Sequence, residues 1–509
     1  MNDIISPIQP NLTQVRLLNV PLESDYKHTL YFENELSQRE YFSTKTVVTS
    51  TNFTYQRKDN IIRWGEHIDL ISGANYVMYR NSGYSDKWFY AFITKMEYIN
   101  DGRTDIYIET DVIQTYMFDY VVQPSFVERE HVNNDAIGLH TYPENVETGE
   151  FISNNHYIDQ KLCDLMIVLG ISALPDGTKV GGQNYNGIYS GVQYRACPWS
   201  NAGAMTNYIN SYDNEGRSTA IQCIFLAPQF LLGSSLASSG LTVIPNNDYA
   251  KTFTISRTMN KTLDGYLPRN KKLLCYPFNF LTVSNNNGAS AIYRYEDFDG
   301  EDYSFKVYGA ITPSCSIRAV PINYKGTLEN DDEGINGGKY PVCNWQTDVY
   351  TNWLTQNSVN NTISIGSGIA QMFTGNIGGG IGTIAGTIAQ VHTQSFQSPQ
   401  VNGNLNCGDV ITASQANRFH FYDMSIKKEY AKIIDEYFDM YGYKICRVKT
   451  PNKNHRSSWW YTKTIDVNID GGSIPQNDIQ KIKACYNNGI TFWKTANIGN
   501  YSLSNNIVI

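Results

Sequence analysis

The chain is short of charge. Asp, Glu, Lys and Arg make up 17% of its 509 residues, against roughly 25% in ordinary soluble domains. Forty basic residues face 48 acidic ones, a net charge of −8, which excludes the cationic surplus of a classical nucleic-acid binder. Nine cysteines occur, none within three residues of another, so there is no CxxC zinc or redox pair. They are expected to be reduced and packed as small apolar side chains. HExxH, the Walker A loop and GxSxG are all missing, which removes the motif-bearing metalloproteases, P-loop NTPases and α/β-hydrolases. The first residues, MNDIISPIQP, hold no basic stretch followed by an apolar run, and no secretory signal is expected. Without one, sequons such as Asn52-Phe53-Thr54 and Asn260-Lys261-Thr262 read as chance matches.

What replaces charge is aromatic and small polar. Tyr alone contributes 37 residues and aromatics reach 13%, a composition that excludes general disorder. At about 150 residues per domain the length suggests about three domains. The first 135 residues read as antiparallel β. Lys87-Trp88-Phe89-Tyr90-Ala91-Phe92-Ile93-Thr94 is a β-branched and aromatic run, Asn100-Asp101-Gly102 a turn signal of the type that tolerates positive φ, and Thr104 to Thr110 a second run with Ile106 and Ile108 on one face. That pattern predicts a hairpin. From about 150 to 345, short apolar runs such as Leu165–Leu169 alternate with turn-rich stretches, which predicts a second, mostly β domain. Ile426, Tyr430, Ile433, Tyr437 and Met440 carry helical spacing, predicting a helix over Met424–Tyr441 stopped by Gly442. The last sixty residues read again as strands and turns.

Sites for chemistry are thin. Gly380-Ile381-Gly382-Thr383-Ile384-Ala385 matches G-x-G-x-x-A without a strand–turn–helix around it. Ser425-Ile426-Lys427-Lys428 matches S-x-x-K without its partner motifs and is read as an exposed helix start. Acidic clusters at Glu296-Asp297-Phe298-Asp299-Gly300-Glu301-Asp302 and Asp331-Asp332-Glu333 do not have the full EF-hand spacing and are read as solvated turns. No metal and no cofactor is expected.

The informative segment lies between Val349 and Gly408, which contains no Asp, Glu, Lys or Arg. On a helical wheel Ile377, Ile381, Ile384, Ile388 and Val391 share one stripe. Gly375/Gly379, Gly378/Gly382 and Gly382/Gly386 are each GxxxG, the pattern that lets helices approach closely in lipid. Ile363, Ile365, Ile369, Met372 and Phe373 extend the apolar set. The stretch Ile363–Val391 would span about 40 Å as a helix at ~1.5 Å per residue, enough for a hydrocarbon core of about 30 Å. Eight glycines, each costing roughly 0.8–1 kcal/mol against Ala in a helix interior, make that helix unstable in water. In lipid the backbone must bond internally, so helix becomes the available form, and absence of charge keeps insertion cheap. Gln371, Asn376 and Gln390 set the stretch apart from a standard transmembrane helix. On the residues alone two readings stay open: a conditional membrane segment, sheltered first and inserted later, or a Gly-rich linker or loop buried inside an oligomer.

Three stretches near the N-terminus, Asp86-Lys87-Trp88-Phe89-Tyr90-Ala91-Phe92, Asp111-Val112-Ile113-Gln114-Thr115-Tyr116-Met117-Phe118-Asp119 and Phe126-Val127-Glu128-Arg129-Glu130-His131-Val132, resemble the tail knob (distal tail tube) proteins of the small phi29-like short-tailed phages. Tyr441-Gly442-Tyr443-Lys444-Ile445-Cys446-Arg447-Val448-Lys449-Thr450-Pro451-Asn452 and Asn488-Gly489-Ile490-Thr491-Phe492-Trp493, followed by Asn497–Ser502, agree. The resemblance covers roughly residues 14–135 and 415–505; the middle is less similar and shorter here.

The resemblance implies a mainly β, multi-domain protein that forms a homohexameric tube at the virion tail tip. Antiparallel, barrel-like tube-wall domains (1–145 and 411–509, the latter with one helix of moderate length) would flank an outer knob domain (146–345). A hydrophobic loop (346–410) would plug the tube and later leave it to form a pore in the host cytoplasmic membrane. The implied partners are further copies of the chain, the lower collar or proximal tail tube protein, membrane lipids, and genomic DNA passing the lumen without sequence-specific contact. The membrane-inserting residues would be Ile363, Ile365, Ile369, Met372, Phe373, Ile377, Ile381, Ile384, Ile388 and Val391, with Gly375, Gly378, Gly379, Gly382 and Gly386 packing the helices. This is a structural role, not an enzyme. Two other classes stand beside it: a cell-wall hydrolase using carboxylates such as Asp297 and Asp299, and a receptor-binding adhesin.

Overall fold

Apolar side chains on both faces of Tyr76-Val77-Met78-Tyr79 mark a strand covered on two sides, and the N-terminal sheet is built around it. The structure, a computed structural model, describes residues 13–53, 60–81, 85–180, 184–185, 188–189, 191–244, 251–286, 288–313, 315–325, 333–337, 340, 342–344 and 418–508. The chain divides into two units, one of residues 1–147, 268–272 and 432–509, the other of 148–267 and 273–431.

In unit 1, strands β1 (Thr13–Leu18), β3 (Thr46–Phe53), β4 (Ile61–Trp64), β5 (Tyr76–Asn81), β6 (Ser85–Asn100) and β7 (Arg103–Thr110) form an antiparallel sheet of order β3-β1-β5-β6-β7-β4. Val15, Leu17, Ile62, Trp64, Val77, Ala91, Ile106 and Ile108 bury one face, with helix α2 (Ile68–Ile71) contributing Ile71. The other face packs Tyr76, Met78, Trp88, Tyr90 and Phe92 against Phe42 of helix α1 (Glu35–Thr44). Asn34 starts α1 by accepting the Ser37 N–H at 2.8 Å, the ordinary N-cap bond.

A second sheet has the order β2-β28-β26-β9-β25, from β2 (His28–Leu30), β9 (Ser125–Glu130), β25 (Tyr443–Lys449), β26 (Trp459–Ile465) and β28 (Ile490–Trp493). It interleaves strands from both ends of the chain: β9 lies between β25 and β26, and β2 pairs in parallel with β28. Trp459 and Trp493 join the first sheet's core. Trp460, Ile490 and Phe492 pack with helices α3 (Val112–Tyr116) and α6 (Gln476–Asn488), beside the short pair β8 (Val121–Val122) and β27 (Ile469–Asp470). A buried Trp removes 150–250 Å² from water, on the order of 4–6 kcal/mol as an upper bound, so these indoles dominate the second sheet.

Unit 2 is built on one large core. A five-stranded sheet, order β16-β14-β11-β15-β23, contains β11 (Leu165–Ile171), β14 (Gln193–Pro198), β15 (Ile221–Pro228), β16 (Thr242–Val243) and β23 (Val342–Asn344). Helix α4 (Ala202–Asn214) follows β14, and a short pair joins β12 (Asn184–Tyr185) and β13 (Ile188–Tyr189). Strand β11 is buried at all seven positions and is paired on both edges, so its side chains are covered on both faces of the sheet. A four-stranded sheet, β10-β24-β18-β19, unites β10 (Phe151–Ile158), β18 (Asn279–Ser284), β19 (Ser290–Arg294) and β24 (His420–Ile426). Another, β17-β20-β21-β22, uses β17 (Phe253–Thr258), β20 (Asp302–Gly309), β21 (Ile317–Ile322) and β22 (Ile335–Asn336).

The expected mainly β, multi-domain class holds. The 87–110 hairpin forms as β6–β7 with Asn100 opposite Arg103. Its turn does not use left-handed φ; Gly102 N–H bonds the Asn100 side chain at 3.0 Å instead. The predicted helix begins later than its spacing suggests. Met424, Ser425 and Ile426 belong to β24, which pairs with β10 and β18 on both edges, and helix α5 runs Lys428–Tyr441. Two-sided pairing outweighs helical periodicity there. Ile433 is 65% exposed, while Ala431, Ile434, Asp435 and Phe438 form the buried face. Helix α6 lies where strands and turns were expected, with Ile482, Cys485 and Tyr486 buried. Seven of the nine cysteines, Cys163, Cys197, Cys223, Cys275, Cys315, Cys446 and Cys485, are free, and five of these are buried.

Gly442 ends α5 at φ +64°, and a Cβ there would sit 2.2 Å from the Glu130 carbonyl oxygen. Gly442→Ala is therefore expected to cost at least about 2 kcal/mol, read as a lowered denaturation midpoint with unchanged slope.

Candidate functional site

The segment 346–410, with Ile363, Ile365, Ile369, Met372, Phe373, Gly375, Ile377, Gly378, Gly379, Ile381, Gly382, Ile384, Gly386, Ile388 and Val391, lies outside the described residues, as does the Gly380–Ala385 motif. Its roots in unit 2 are described. The chain leaves from β23, paired to β15, and returns through β24, held between β10 and β18. Among the described residues no helix is long and apolar enough to cross a membrane, and no group of three or more His, Cys, Asp or Glu is placed to hold a metal.

The acidic cluster disperses. Glu296 is buried and accepts the Tyr276 N–H at 3.1 Å, burial pushing its carboxyl up. The backbones of Asp297 and Asp299 bond Lys325 and Asn323. Glu301 pairs with Lys261 at 2.8 Å. Of the second cluster only Glu333 is described. The S-x-x-K match is corrected too: Ser425 is a buried strand residue whose hydroxyl accepts from Asn154 Nδ2 at 2.8 Å, and Lys427 pairs with Glu150.

Residues that carry the family resemblance converge instead on buried polar structure in unit 1. Asp111 caps α3, accepting the Ile113 and Gln114 N–H groups at 3.1 and 3.0 Å and the Tyr76 hydroxyl at 2.8 Å. Gln114 Nε2 donates to Thr29 Oγ1 and the Leu30 carbonyl, while its own Oε1 accepts from Gln38 at 2.9 Å. Thr115 Oγ1 bonds both the N–H and the carbonyl of Tyr90. A five-residue helix is too short to hold itself; this network holds it.

A second network forms where 126–135 meets 435–456. Strand β9 pairs with β25, Tyr443 opposite Glu130. Glu130 is buried, accepts the Asn452 N–H at 2.8 Å and pairs with Lys449; burial raises its carboxyl. His131 Nδ1 accepts the Tyr461 N–H at 2.8 Å, so Nε2 carries the proton and donates to the Asp439 carbonyl at 2.9 Å. Burial keeps that imidazole neutral, well below the usual His range. Glu144 accepts from Arg129, Lys272 and the Lys444 N–H.

The segment Pro268–Lys272 threads into this network. Asp435, with no exposed side-chain surface, accepts the Arg269 and Asn270 N–H groups at 2.9 and 3.0 Å and Asn270 Nδ2 at 2.8 Å. Asn270 Nδ2 also reaches Asp439, and Asp135 accepts the Lys271 N–H and the Tyr443 hydroxyl. Sequence reading missed Asp435, whose only signal is an acid at a buried-face position between Ile434 and Phe438.

These geometries define a protein whose ends co-fold around buried polar seams, and comparison places them among phage tails. Residues 11–121 match the model of the caudoviral major tail protein N-terminus, the class of tail components of tailed phages. Residues 244–506, over half of the chain, match the model of the C-terminal domain of the Bacillus phage phi29 tail knob protein gp9, and the chain belongs to that family. It is 27% identical to tail knob protein gp9 of Bacillus phage B103 and 25% identical to that of phi29, each over 97% of this chain and 98% of the relative. The B103 alignment runs over 596 positions, more than the chain's own length, so part of the relative has no counterpart here. The fold matches the tail knob protein gp12 of bacteriophage C1 with TM-score 0.67 at 14% identity, over 98% of this chain and 100% of that one. The protein is thus a structural tail component.

Two outcomes test the seams. Burial raises the Asp111 carboxyl to about 6, above about 3.9 for an unfolded Asp. Between those values the folded state binds more protons, so this group's contribution to stability falls as pH rises from about 4 to 6. Relative to Asp111→Asn, whose amide can still cap, the wild type should lose on the order of 2–3 kcal/mol across that window in paired denaturation curves. Asp435→Ala strands buried N–H donors and should cost roughly 3 kcal/mol, measured the same way at pH 7.

Proposed function

We propose that the protein builds the distal tube of a short-tailed phage as a homohexamer, joined to the lower collar or proximal tail tube, and that its 346–410 segment plugs the tube before infection. On triggering, the segment leaves the lumen and enters the host cytoplasmic membrane, opening a path for genomic DNA. No chemical step is catalysed. The observation that carries the reading is the chargeless run of Val349–Gly408 with its isoleucine stripe and GxxxG pairs, in a chain of a tail knob family.

The physics is consistent. In a closed ring, loops from several subunits can bury one another's isoleucines away from water. A segment that ill suits a solvated helix has acyl chains as its better environment. Its two roots are strands with partners in folded sheets, β23 at an edge and β24 paired on both sides, so the excursion is tethered at both ends.

Protein lacking residues 351–400 should still assemble into six-membered rings by electron microscopy but fail to release dye from liposomes. Ile381→Asp with Ile384→Asp, each costing about 2.5–3.5 kcal/mol of insertion, should leave rings intact and abolish release; undiminished release would reject the lipid-facing stripe.

A further inference from the structure

At the end of β25 an amine, an amide and a buried carboxyl meet. Lys449, the last residue of the strand, turns its Nζ both to Glu130 and to the side-chain carbonyl of Asn452, the latter at 2.8 Å. The Glu130 side chain is 1% exposed and that of Lys449 21%, so the pair is largely shielded from water. Asn452 is held from two further directions. Its Nδ2 donates to the His131 carbonyl at 3.1 Å, which leaves Oδ1 to face the lysine. Its backbone N–H donates to the second carboxylate oxygen of Glu130 at 2.8 Å. Amine and amide stand three residues apart, across Thr450 and Pro451.

These are the parts that amide exchange needs. An amine attacks an amide slowly in water because the two must meet, because lysine is protonated, and because the leaving nitrogen needs a proton of its own. Here the groups have already met. The carbonyl carbon lies one bond of about 1.23 Å beyond its oxygen, so Nζ is within about 4 Å of Asn452 Cγ, close to the roughly 3–3.5 Å from which reacting atoms combine. Burial raises the Glu130 carboxyl. Opposite charges taken out of water are costly to keep, so passing the proton from ammonium to carboxylate is cheaper here than at the surface. That transfer frees the amine and creates the acid in one move.

We propose that Lys449 and Asn452 join in an intramolecular isopeptide bond, with Glu130 as the acid–base group. Glu130 takes a proton from Lys449, and the neutral Nζ attacks Asn452 Cγ, forming the Nζ–Cγ bond as the carbonyl electron pair moves onto Oδ1. Glu130 then hands its proton to Nδ2 and takes another from Nζ. The carbonyl re-forms, the Cγ–Nδ2 bond breaks and ammonia leaves. Glu130 ends protonated, so atoms and charge balance with no oxidant, metal or cofactor, and a buried ion pair is replaced by two neutral groups. The bond closes a ring through Thr450 and Pro451 beside the seam between β9 and β25. It belongs to the scaffold and stands or falls independently of tube formation and membrane insertion.

The test is a tryptic peptide map of purified full-length protein by mass spectrometry. Lys449 should stay uncut, and residues 448–453 should emerge as one peptide about 17 Da below its encoded mass, the ammonia lost. Lys449→Arg keeps the cation and removes the nucleophile; trypsin should then cut after position 449 and give both pieces at their encoded masses. Glu130→Gln removes the proton carrier and should likewise restore cleavage after Lys449 at full mass. Should Glu130→Gln not fold, Lys449→Arg decides alone. Cleavage at Lys449 with full encoded mass in the wild type means an ion pair and a hydrogen bond only, and overturns the assignment. A deficit that persists in Lys449→Arg, as from a succinimide at the asparagine, or in folded Glu130→Gln overturns it as well.

Discussion

A single buried carboxylate fastens the third and shortest chain piece of unit 1 to the rest of it. Asp435 binds two backbone N–H groups and one side-chain amide of a segment more than 160 residues earlier in the chain. That segment, Pro268–Lys272, has no strand or helix partner of its own kind that would otherwise hold Arg269 and Asn270 in place. Burying an ion is costly unless it is fully hydrogen-bonded, and Asp435 meets that condition through donors that also need acceptors. Carboxylate and backbone satisfy each other, and Pro268–Lys272 is fastened to helix α5, while strand pairing joins the two longer pieces of the unit.

The stretches that identify the family belong to the same economy of buried polar groups. Asp111, Gln114 and Thr115 hold a helix of a single turn and a half against β2, β5 and β6. Glu130 and His131 tie β9 to β25, β26 and the Asn452 turn. Such positions tolerate little change because each side chain satisfies several partners, and replacing one strands the rest. The family likeness at the two ends is therefore a likeness of scaffold. The family match over residues 244–506 also runs through the apolar segment, where the proposed action of the protein rests.

Local patterns were legible and long-range ones were not. The β6–β7 hairpin follows from a β-branched, aromatic run and a polar turn, information contained within some twenty-five residues. Helix α6 had its marks as well, Pro475 before it, Ile479, Ile482 and Tyr486 at helical spacing and Gly489 after it, but the surrounding strands drew the reading toward β. At Met424–Ile426 the periodicity pointed the wrong way, because β10 and β18 supply hydrogen bonds that no helical wheel registers. The Asp435 seam joins residues 165 positions apart and the Glu130 seam residues 322 apart, and nothing in local composition marks an acid for burial. For the candidate membrane segment the sequence remains the whole of the description.

The interleaving of β9 between β25 and β26, and of β2 beside β28, fixes an order of manufacture. Strands β2 and β9 cannot find their sheet neighbours until residues beyond 440 have been made, so their edges stay unpaired while everything between is synthesised. A chain lacking residues 443–493 would leave this sheet without three of its five strands, and β2 and β9 with no neighbours in it.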